Sequence, residues 1–575
     1  MEPGCAGTGG GAGVTAPAPR AYRGPMTPST HAVTNQVPPL VDYDVFTQDA
    51  ALAEGFARQV APDVAEEATA ELRDLGRSAG SAEAAERGRL ANENPPALRV
   101  FDAVGHRIDE VEFHPAWHQL LERAIGAGLT DAWSRPSGQL RRTAGFMVWS
   151  QVEAGHGCPV SMTHAAVPAL RAAPELAAVW EPLLTSRAYE PGLAKPATGK
   201  AGALAGMGMT EKQGGSDVRA NTTRAEPAGE PGLFRLTGHK WFCSAPMSDA
   251  FLVLAQAPAG LSCFLLPRVL PDGKRNAFRL QRLKDKLGNR SNASSEVEFD
   301  GETLAWLVGE EGRGVRTIIE MVAATRIDCV TGSAAIMRQS VARAIHHAAH
   351  RSAFGGPLID KPLMTNVLAD LALESEAATA LALRLASAAD AAAAGSARDR
   401  HLLRLAVPAA KYWVTKRCTP VAAEALECLG GNGYVEESGL PRLLRESPLN
   451  SLWEGSGNVQ ALDALRALTR EPGALNAYLA EVGAATGADH RLDAALKDLL
   501  AELSDLEGVE ARARRIVERL ALVLQGALLV RHAPPEVADA FCASRLGGDW
   551  GGSFGTLPGG DLSAVVDRAR AVPED

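Results

Sequence analysis

The feature that most constrains the fold is a change of hydrophobic period between about Met209 and Gly301. Apolar residues alternate there with polar ones in short runs such as LFRLTGHKWFCS, AFLVLAQA, LSCFLLPR and SSEVEFDG. These runs are rich in β-forming residues and are separated by Gly, Pro, Asp and Asn, which is typical of a small antiparallel sheet or barrel. The segments on both sides follow the three- and four-residue spacing of helices. The pattern therefore predicts a β unit inserted between helical ones.

This pattern divides the chain into five parts and predicts a multidomain α+β fold. Residues 1–33 have few large apolar side chains and are expected to be a disordered tail, in which either Met1 or Met26 could start translation. The parts that follow are an N-terminal helical domain at 34–208, a middle β domain at 209–302, a helical bundle at 303–469 and a C-terminal helical extension at 470–575. The Gly-rich stretch GGDWGGSFGTLPGG near the end predicts a loose segment.

Composition and the lack of standard motifs exclude several classes of function. The net charge of −10 gives the chain no overall attraction for nucleic acid. The eight cysteines form no C-x-x-C pair, which argues against a zinc site and a disulfide framework. No apolar run reaches the ~18 residues of a membrane span and no signal sequence is visible, so we expect a cytoplasmic protein. His346, His347 and His350 share a helix, but without an acidic partner they favour a solvated or interface face, and no metal is expected.

Neither a G-x-G-x-x-G after a strand nor a P-loop is present, so the usual nucleotide signatures are missing. Five other stretches combine small, polar and aromatic residues in a way that is unusual for a core. They are GMGMTEKQGGSD (206–217), HKWFCS (239–244), RSAFGGPL (351–358), LGGNGY (429–434) and SLWEGSGN (451–458). Glycines allow close approach of a ligand, aromatic faces pack on flat heterocycles, and guanidinium suits pyrophosphate. Taken singly, each stretch is more often structural than functional.

Taken together, in this order and spacing, these stretches and LKDKLGNRSNASSEVEF resemble the acyl-CoA dehydrogenase superfamily from about residue 35 to 470. Upstream, GRLANENPP (88–96) and QVEAGHGCPVSMTHAA (151–166) are similar to its AidB group, the flavoproteins of the adaptive response to DNA alkylation. The resemblance implies an N-terminal helical domain, a middle antiparallel β domain and a C-terminal four-helix bundle, followed here by the extra helical region. It also implies a homotetramer that holds FAD in the crevice between the β domain and the bundle.

The resemblance assigns cofactor-site residues position by position. The residues that would line the flavin and the substrate are Met209, Thr210, Gly215 and Ser216, and those that would back the flavin ring are Trp241, Phe242 and Cys243. The residues that would reach the FAD of a neighbouring subunit are Arg351 and Phe354, and those that would cover its adenosine half are Gly430, Gly431 and Gly433. Further cofactor contacts are expected from Trp453, Ser456 and Asn458.

Glu454 matches the catalytic base of the family, which removes the α proton of an acyl-CoA thioester while the β hydrogen leaves as hydride to the flavin. A carboxylate can do this only if it is desolvated and its pKa is raised, and burial beside Trp453 favours both. In the isovaleryl type the base precedes a characteristic arginine on an earlier helix. Arg326 matches that arginine, but Thr325 before it cannot be a base. The alternative for Glu454 is a structural acid paired with Arg466 or Arg326.

For the AidB group the resemblance implies binding of double-stranded DNA through the region beyond the bundle. From Arg470 onward there are eleven Lys or Arg against seventeen Asp or Glu, a difference of −6, which is the wrong sign for phosphate contacts. One local patch remains, in ARARRIVER, where Arg512, Arg515 and Arg519 share a helical face beside Arg514. A solvated helix surface paired with Glu510 and Glu518 is an equally good interpretation. No base-reading motif is visible, so any DNA binding is expected to be independent of sequence.

Three hypotheses follow for the function. The first is a metabolic dehydrogenase of short or branched acyl-CoA thioesters, supported by the retained base. The second, which the AidB-type motifs favour, is a flavoprotein of the DNA alkylation response with weak, isovaleryl-CoA-like dehydrogenase activity. The third is a flavin-stabilised scaffold that interacts only with proteins.

Overall fold

The computed structural model describes residues 30–505 and 507–573. The chain forms two units, Met1–Gln36 and Val37–Asp575. Of the first unit, residues 30–36 are described, and they form neither helix nor strand. The predicted tail at 1–33 therefore lies, up to residue 29, outside the described residues.

The N-terminal part of the second unit is mainly helical. Its helices are α1 Ala50–Gln59, α2 Ala65–Gly80, α3 Ala82–Glu93, α4 Pro115–Gly126, α5 Gly138–Trp149, α6 Gly157–Leu170 and α7 Pro174–Leu184. One feature was not predicted from the mostly helical pattern, because β1 Ala97–Phe101 and β2 Arg107–Glu112 form an antiparallel hairpin. The Asp102 carboxylate closes its turn by accepting hydrogen bonds from the backbone N–H groups of Val104 and His106.

The middle part is a mostly antiparallel barrel. Its strands are β3 Ala205–Gly208, β4 Arg224–Pro227, β5 Leu233–Ser244, β6 Ala250–Ala257, β7 Gly260–Pro267, β8 Arg279–Leu283 and β9 Ser294–Val308. The order β6-β4-β5-β9-β7 closes on itself because β7 also pairs with β6, while β3 pairs with β6 in parallel and β8 with β9. Phenylalanines 251, 264, 278 and 299 fill its core. The strands begin and end a few residues outside the predicted 209–302.

Long helices return after the barrel. The elements are α8 Gly314–His350, β10 Ser352–Ala353, β11 Gly356–Pro357, α9 Pro362–Ala393, α10 Ala397–Cys428, α11 Leu440–Glu446, α12 Leu449–Leu452 and α13 Gly457–Arg470. Helices α8, α9 and α10 pack against one another, and α13 packs on α10. Many contact positions are alanine, which lets the helix axes approach closely and favours helix formation.

The C-terminal extension is helical and packs on this bundle. Its α-helices are α14 Pro472–Gly483, α15 His490–Ser504, α16 Ala513–His532, α17 Pro535–Phe541 and α18 Leu562–Arg568. Helix α16 lies against α9, α10 and α13, and its apolar face is buried. The extension therefore shares one continuous hydrophobic core with the bundle and the N-terminal helices.

The Gly-rich end of the chain is docked, which the sequence did not predict. The carboxylate of Asp370 on α9 accepts hydrogen bonds from Trp550 Nε1 at 3.1 Å and from the backbone N–H of Gly555 at 3.0 Å. It also forms an ion pair with Arg545, whose guanidinium lies 4.4 Å from the Trp550 ring centroid. A buried charge with three partners anchors a segment whose composition alone indicates looseness.

Helix α18 is joined to α1 by an ion pair. Arg568 pairs with Glu54 on α1 at 2.7 Å and with Glu376 on α9 at 3.0 Å. Arg338 of α8 donates to the backbone carbonyls of Ala569 and Gln48, at 2.6 and 2.7 Å. Segments from the two ends of the second unit are thus joined through the bundle.

Two further observations concern the described part of the chain. No helix in residues 30–505 and 507–573 has the length and apolarity needed to cross a bilayer. The seven cysteines in these residues are buried and free, and no three His, Cys, Asp or Glu side chains there are grouped so that they could hold a metal ion.

Candidate active site

Glu454 lies in a tight turn between α12 and α13. Its backbone has φ of +57° and that of Gly455 has φ of +92°, and the left-handed conformation costs a non-glycine residue roughly 1 kcal/mol. The turn is held by Gln460, whose Nε2 donates to the carbonyls of Glu454 at 2.9 Å and Gly455 at 3.0 Å. The buried ammonium of Lys411 donates to the Gly455 carbonyl at 2.8 Å and to that of Asn450 at 3.0 Å. These bonds fix the direction in which the Glu454 side chain leaves the backbone.

The Glu454 carboxylate is half-buried and is hydrogen-bonded by a neutral group. Thr325 Oγ1, on α8, donates to Glu454 Oε2 at 2.7 Å. Burial raises the pKa of Glu454 above its ordinary value, while the Thr325 hydrogen bond and the nearby charges of Lys411 and Arg326 act in the opposite direction, and the pKa remains raised. A carboxylate with a raised pKa is suited to take a proton from carbon near neutral pH.

The alternative of a salt-bridged Glu454 is wrong for both expected partners. Arg326 Nη1 pairs with Asp463 at 2.6 Å, and Arg466 faces the same carboxylate at 3.4 Å. Arg326 does contact Glu454, but its Nε donates to the backbone carbonyl at 3.2 Å. Asp463 therefore neutralises the arginines, and within the described ranges no Lys, Arg or His comes within 4.0 Å of the Glu454 carboxylate.

On the barrel side, the predicted Met209 and Thr210 follow β3. Met209 packs on an apolar cluster that also receives Trp453, so residues from the barrel and the Glu454 turn meet there. The Thr210 carbonyl accepts from the backbone N–H of Trp241 at 2.9 Å. A Cβ at Gly215 would lie 2.5 Å from Thr210 Oγ1, so the loop needs glycine at this position. Ser216 continues this exposed loop.

Two charged residues that sequence reasoning missed hold this loop. Glu211 and Lys240 form a fully buried ion pair at 2.9 Å. The same carboxylate accepts from the backbone N–H groups of Thr222 at 2.7 Å and Thr223 at 3.1 Å, and these contacts hold the pKa of Glu211 below its ordinary value despite burial. Glu211 stands inside the GMGMTEKQGGSD motif, so its unusual setting among small residues was the available signal.

A β-bulge sets the direction of the aromatic residues on β5. The register with β9 shifts between Lys240 and Cys243, so Trp241 and Phe242 both turn toward the surface. Phe242 is 51% exposed, whereas the Cys243 side chain lies in the barrel core, where it could meet a cofactor only through its backbone. Lys284 Nζ lies 3.2 Å from the Trp241 ring centroid. The barrel therefore presents aromatic faces with a cation over them.

Helix α6 connects the two sides of the cleft. The buried Cys158 thiol lies near Ser244 on β5 and near Asn292, and it is within electrostatic reach of Glu454 and Lys286. Burial raises the pKa of Cys158 to about 11, so the thiol is neutral. The end of β5 and the Glu454 turn therefore both lie near Cys158, in agreement with the apolar cluster on which Met209 and Trp453 pack.

The remaining predicted cofactor residues fall into two groups. Trp453 Nε1 donates to Asn450 Oδ1 at 2.9 Å, Ser456 precedes α13, and Asn458 lies in its first turn. Arg351 and Phe354 follow α8, and Phe354 is 95% exposed with φ of +52°. The glycines 430, 431 and 433 form a 3-10 turn after α10. In this second group Phe354, Gly430 and Gly431 are exposed, whereas Gly433 is buried.

The predicted basic patch is largely neutralised. Arg512, Arg515 and Arg519 all approach one carboxylate, Glu502 on α15, at 3.7, 3.0 and 2.6 Å. Arg514 points elsewhere, and its Nε donates to Asn458 Oδ1 at 2.7 Å. The expected partners Glu510 and Glu518 were thus wrong, because the acid that approaches all three arginines is Glu502 on the neighbouring helix α15.

Comparison with known proteins agrees with this architecture. Residues 35–191 match the Adaptive response protein AidB N-terminal domain, residues 206–301 the Acyl-CoA dehydrogenase middle domain and residues 312–469 the Acyl-CoA dehydrogenase C-terminal domain. The chain therefore belongs to the acyl-CoA dehydrogenase family, whose members are FAD-dependent oxidoreductases. Its N-terminal domain places it in the AidB-like part of that family.

Two relatives cover most of the chain. The AidB protein of Escherichia coli (strain K12) is 48% identical over 522 residues, which are 90% of this chain and 94% of that protein. Acyl-CoA dehydrogenase family member 11 of Caenorhabditis elegans is 31% identical over 503 residues, 80% of this chain and 81% of the relative. The crystal structure of C. elegans ACDH-11 in complex with C11-CoA superposes with a TM-score of 0.82 at 29% identity, covering 90% and 94% of the two chains.

FAD is the cofactor of this family, and the residues present fit it. Trp241 and Phe242 offer aromatic surface at the cleft for a flat ring, and Gly215 leaves room that a Cβ would remove. The Lys284 ammonium lies over Trp241 and is paired with Glu296 at 2.6 Å.

Proposed function

We propose that this protein is an AidB-type flavoprotein that acts in the response to DNA alkylation and dehydrogenates an acyl-CoA thioester weakly, with Glu454 as the base. The observation that carries the enzymatic half is the Glu454 carboxylate, which has a raised pKa, a fixed backbone and no cation paired with it among the described residues. The similarity to the AidB protein supports the biological role, since it extends over 94% of that relative.

In the proposed reaction Glu454 takes the proton from the α carbon of the thioester, and the electron pair of that C–H bond forms the α,β double bond. When bound, FAD supplies the acceptor for the hydride that leaves the β carbon. The Thr325 hydroxyl orients the carboxylate through its 2.7 Å hydrogen bond. Lys411 and Gln460 hold the turn, so that the base does not need to be reoriented during each turnover.

The enzymatic half is tested by anaerobic bleaching of the bound flavin with isovaleryl-CoA. Glu454→Gln should abolish bleaching while FAD remains bound, because the amide cannot accept the proton. Glu320→Gln is the matched control, since Glu320 is an exposed glutamate on the same helix as Thr325. Bleaching that persists in Glu454→Gln would exclude Glu454 as the base. Wild-type flavin that never bleaches would leave the alkylation role without a dehydrogenase reaction.

The second candidate is a metabolic acyl-CoA dehydrogenase, which the same carboxylate supports. Because the solved worm relative is in complex with C11-CoA, the substrate series should run from isovaleryl-CoA to C11-CoA. Fast bleaching with one member of the series favours the metabolic role. Slow bleaching with all of them favours the AidB-type role.

For the DNA half, we propose that the extension binds double-stranded DNA without sequence preference through Arg512, Arg515 and Arg519. Arg515 supports this, since its side chain is 62% exposed although it pairs with Glu502. Arg515 and Arg519 share the single Glu502 carboxylate, since Arg512 also pairs with Asp505 at 3.2 Å, and this leaves one positive charge in excess on this face. Duplex affinity should fall steeply with salt and should weaken further in Arg515→Glu/Arg519→Glu. Binding that does not respond to salt, or its absence at low salt, would exclude this role.

We propose that the protein is a homotetramer in which a second copy completes each cofactor site. Large apolar side chains near Arg351 and the 3-10 turn after α10 support this, since Phe354, Leu363 and Tyr434 are 95%, 83% and 82% exposed. Exposed apolar side chains of this size are typical of an interface. Phe354→Ser should lower the mass measured by light scattering and weaken FAD retention together. A monomeric wild type that retains FAD would refute the shared site.

A further inference from the structure

The four arginines at the start of α16 divide into two groups. Arg512, Arg515 and Arg519 approach Glu502 on α15, whereas Arg514 crosses to α13 and donates its Nε to Asn458 Oδ1 at 2.7 Å. Asn458 follows the Glu454 turn and is one of the residues expected to touch the cofactor. The extension thus reaches the first turn of α13, four residues after Glu454, through one arginine side chain.

A second cation lies at the same place. The side chain of Lys416 on α10 lies beside Gly457, at the start of α13. A Cβ at position 457 would come within 2.8 Å of Lys416 Cε, so the glycine allows this close approach. The Tyr412 ring lies under it, with its centroid 5.6 Å from Lys416 Nζ. Partial burial and the nearby charge of Arg514 both hold the pKa of Lys416 below its ordinary value. Two like charges therefore face each other beside Asn458.

These two cations have no carboxylate partner within 4.0 Å in residues 30–505 and 507–573. Arg514 uses only Nε in the hydrogen bonds of this part of the chain, so the fork of Nη1 and Nη2 remains available to a ligand. A guanidinium fork beside an ammonium matches the geometry and charge of a diphosphate, which carries oxygens on two neighbouring phosphorus atoms. Lone cations close together favour an anion between them.

We infer that Arg514 and Lys416 bind the diphosphate of a dinucleotide-type ligand, so that the C-terminal extension contributes directly to the cofactor cleft. FAD and coenzyme A both carry a diphosphate, and the place of Asn458 beside the Glu454 turn favours FAD. This inference rests on the proposed function, since it takes a ligand of that function as the occupant. The inference goes beyond the proposed function because it gives the C-terminal extension a role in holding the ligand, in addition to any contact with DNA.

The test is titration of flavin-free protein with FAD, followed by fluorescence. Arg514→Gln and Lys416→Gln should each weaken FAD about tenfold, the usual effect of removing a hydrogen bond to a charged group. Both should leave riboflavin affinity unchanged, because riboflavin has the ring without phosphate. Arg514→Lys should recover part of the loss. Arg470→Gln is the control, since Arg470 is an exposed arginine at the opposite end of α13.

A second arm titrates flavin-loaded protein with desulfo-coenzyme A, which cannot form a thioester. A loss confined to this ligand would assign the same two cations to the coenzyme A diphosphate. The inference would be overturned if Arg514→Gln bound FAD with the same affinity as the control Arg470→Gln, and likewise bound desulfo-coenzyme A with the same affinity as that control. If wild-type protein takes up no FAD at all, the proposed function is refuted. That result differs from one in which wild-type protein binds FAD and the variants bind it with unchanged affinity, which refutes only this inference.

Discussion

Replacing Thr325 by valine tests whether the Glu454 carboxylate is tuned by its neutral partner. Valine keeps the shape of threonine but removes the hydroxyl that donates to Glu454 Oε2 at 2.7 Å. The same hydroxyl lies 3.1 Å from the Val322 carbonyl, so the shorter contact to the carboxylate is favoured. A hydrogen bond to a charged group contributes about 1.5–3 kcal/mol, and the lower value applies to a half-buried carboxylate. Since about 1.4 kcal/mol corresponds to a factor of ten, the ionised fraction below the pKa should fall roughly tenfold.

The sign follows from which form the hydroxyl stabilises. The Thr325 hydrogen bond lowers the pKa of Glu454 against the effect of burial, so its loss raises that pKa further. The base must be ionised to accept a proton, and the acid limb of the pH–rate profile should therefore move to higher pH. At alkaline pH the valine and wild-type rates should converge.

The assay is stopped-flow bleaching of the flavin by isovaleryl-CoA as a function of pH. Thr325→Ser keeps a hydroxyl and should restore the wild-type profile. A rate loss in Thr325→Val that is equal at every pH would show that the hydroxyl only aligns the carboxylate. An unchanged profile would refute any role for the Thr325 hydrogen bond.

Three further predictions concern stability and the extension. Burial and the nearby Glu153 charge raise the pKa of Glu446 to about 7 from 4.5, so its stabilising contribution is full below pH 4.5 and is lost as pH rises through 7. Glu446→Gln should therefore increase the free energy of unfolding above pH 7, by up to about 3 kcal/mol, and leave it unchanged below pH 4.5, which thermal melts at the two pH values would show. Asp370→Ala removes one of the two carboxylates paired with Arg545, the other being Glu374 at 2.9 Å, together with the acceptor of Trp550, so it should cost about 3 kcal/mol in chemical denaturation and expose the Trp550 segment to protease. Glu502→Gln frees Arg515 and Arg519 and should tighten duplex DNA binding at low salt, whereas unchanged affinity in a filter assay would remove that face from the DNA interface.

The sequence was sufficient to predict the architecture, because a long stretch with one hydrophobic period indicates one kind of secondary structure. The runs of β5, β6, β7 and β9 alternate clearly, and the structure closes them into a barrel. The β1–β2 hairpin escaped notice because its strands are short, half-exposed and carry charges, so their alternation is weak. Docking of the Gly-rich end depends on Asp370, which lies on α9 far away in the chain.

The site was predictable where a motif is local. The Glu454 turn, the glycines and the aromatic pair on β5 could be named from short stretches of sequence. Tertiary partners could not be named in this way, since Asp463 takes the arginines that were expected at Glu454, and Glu502 takes those of the patch. The bulge in β5 also could not be inferred, because a strict period of two would place Cys243 on the same face as Trp241.

The contact between α18 and α1 has a consequence for how the protein is made. Glu54 emerges from the ribosome early, but its partner Arg568 is translated 514 residues later. Until then the first helix has neither this ion pair nor the packing that α18 adds to α9. The nascent chain therefore remains incompletely closed for most of its synthesis, and it should depend on chaperones until the final helix is released.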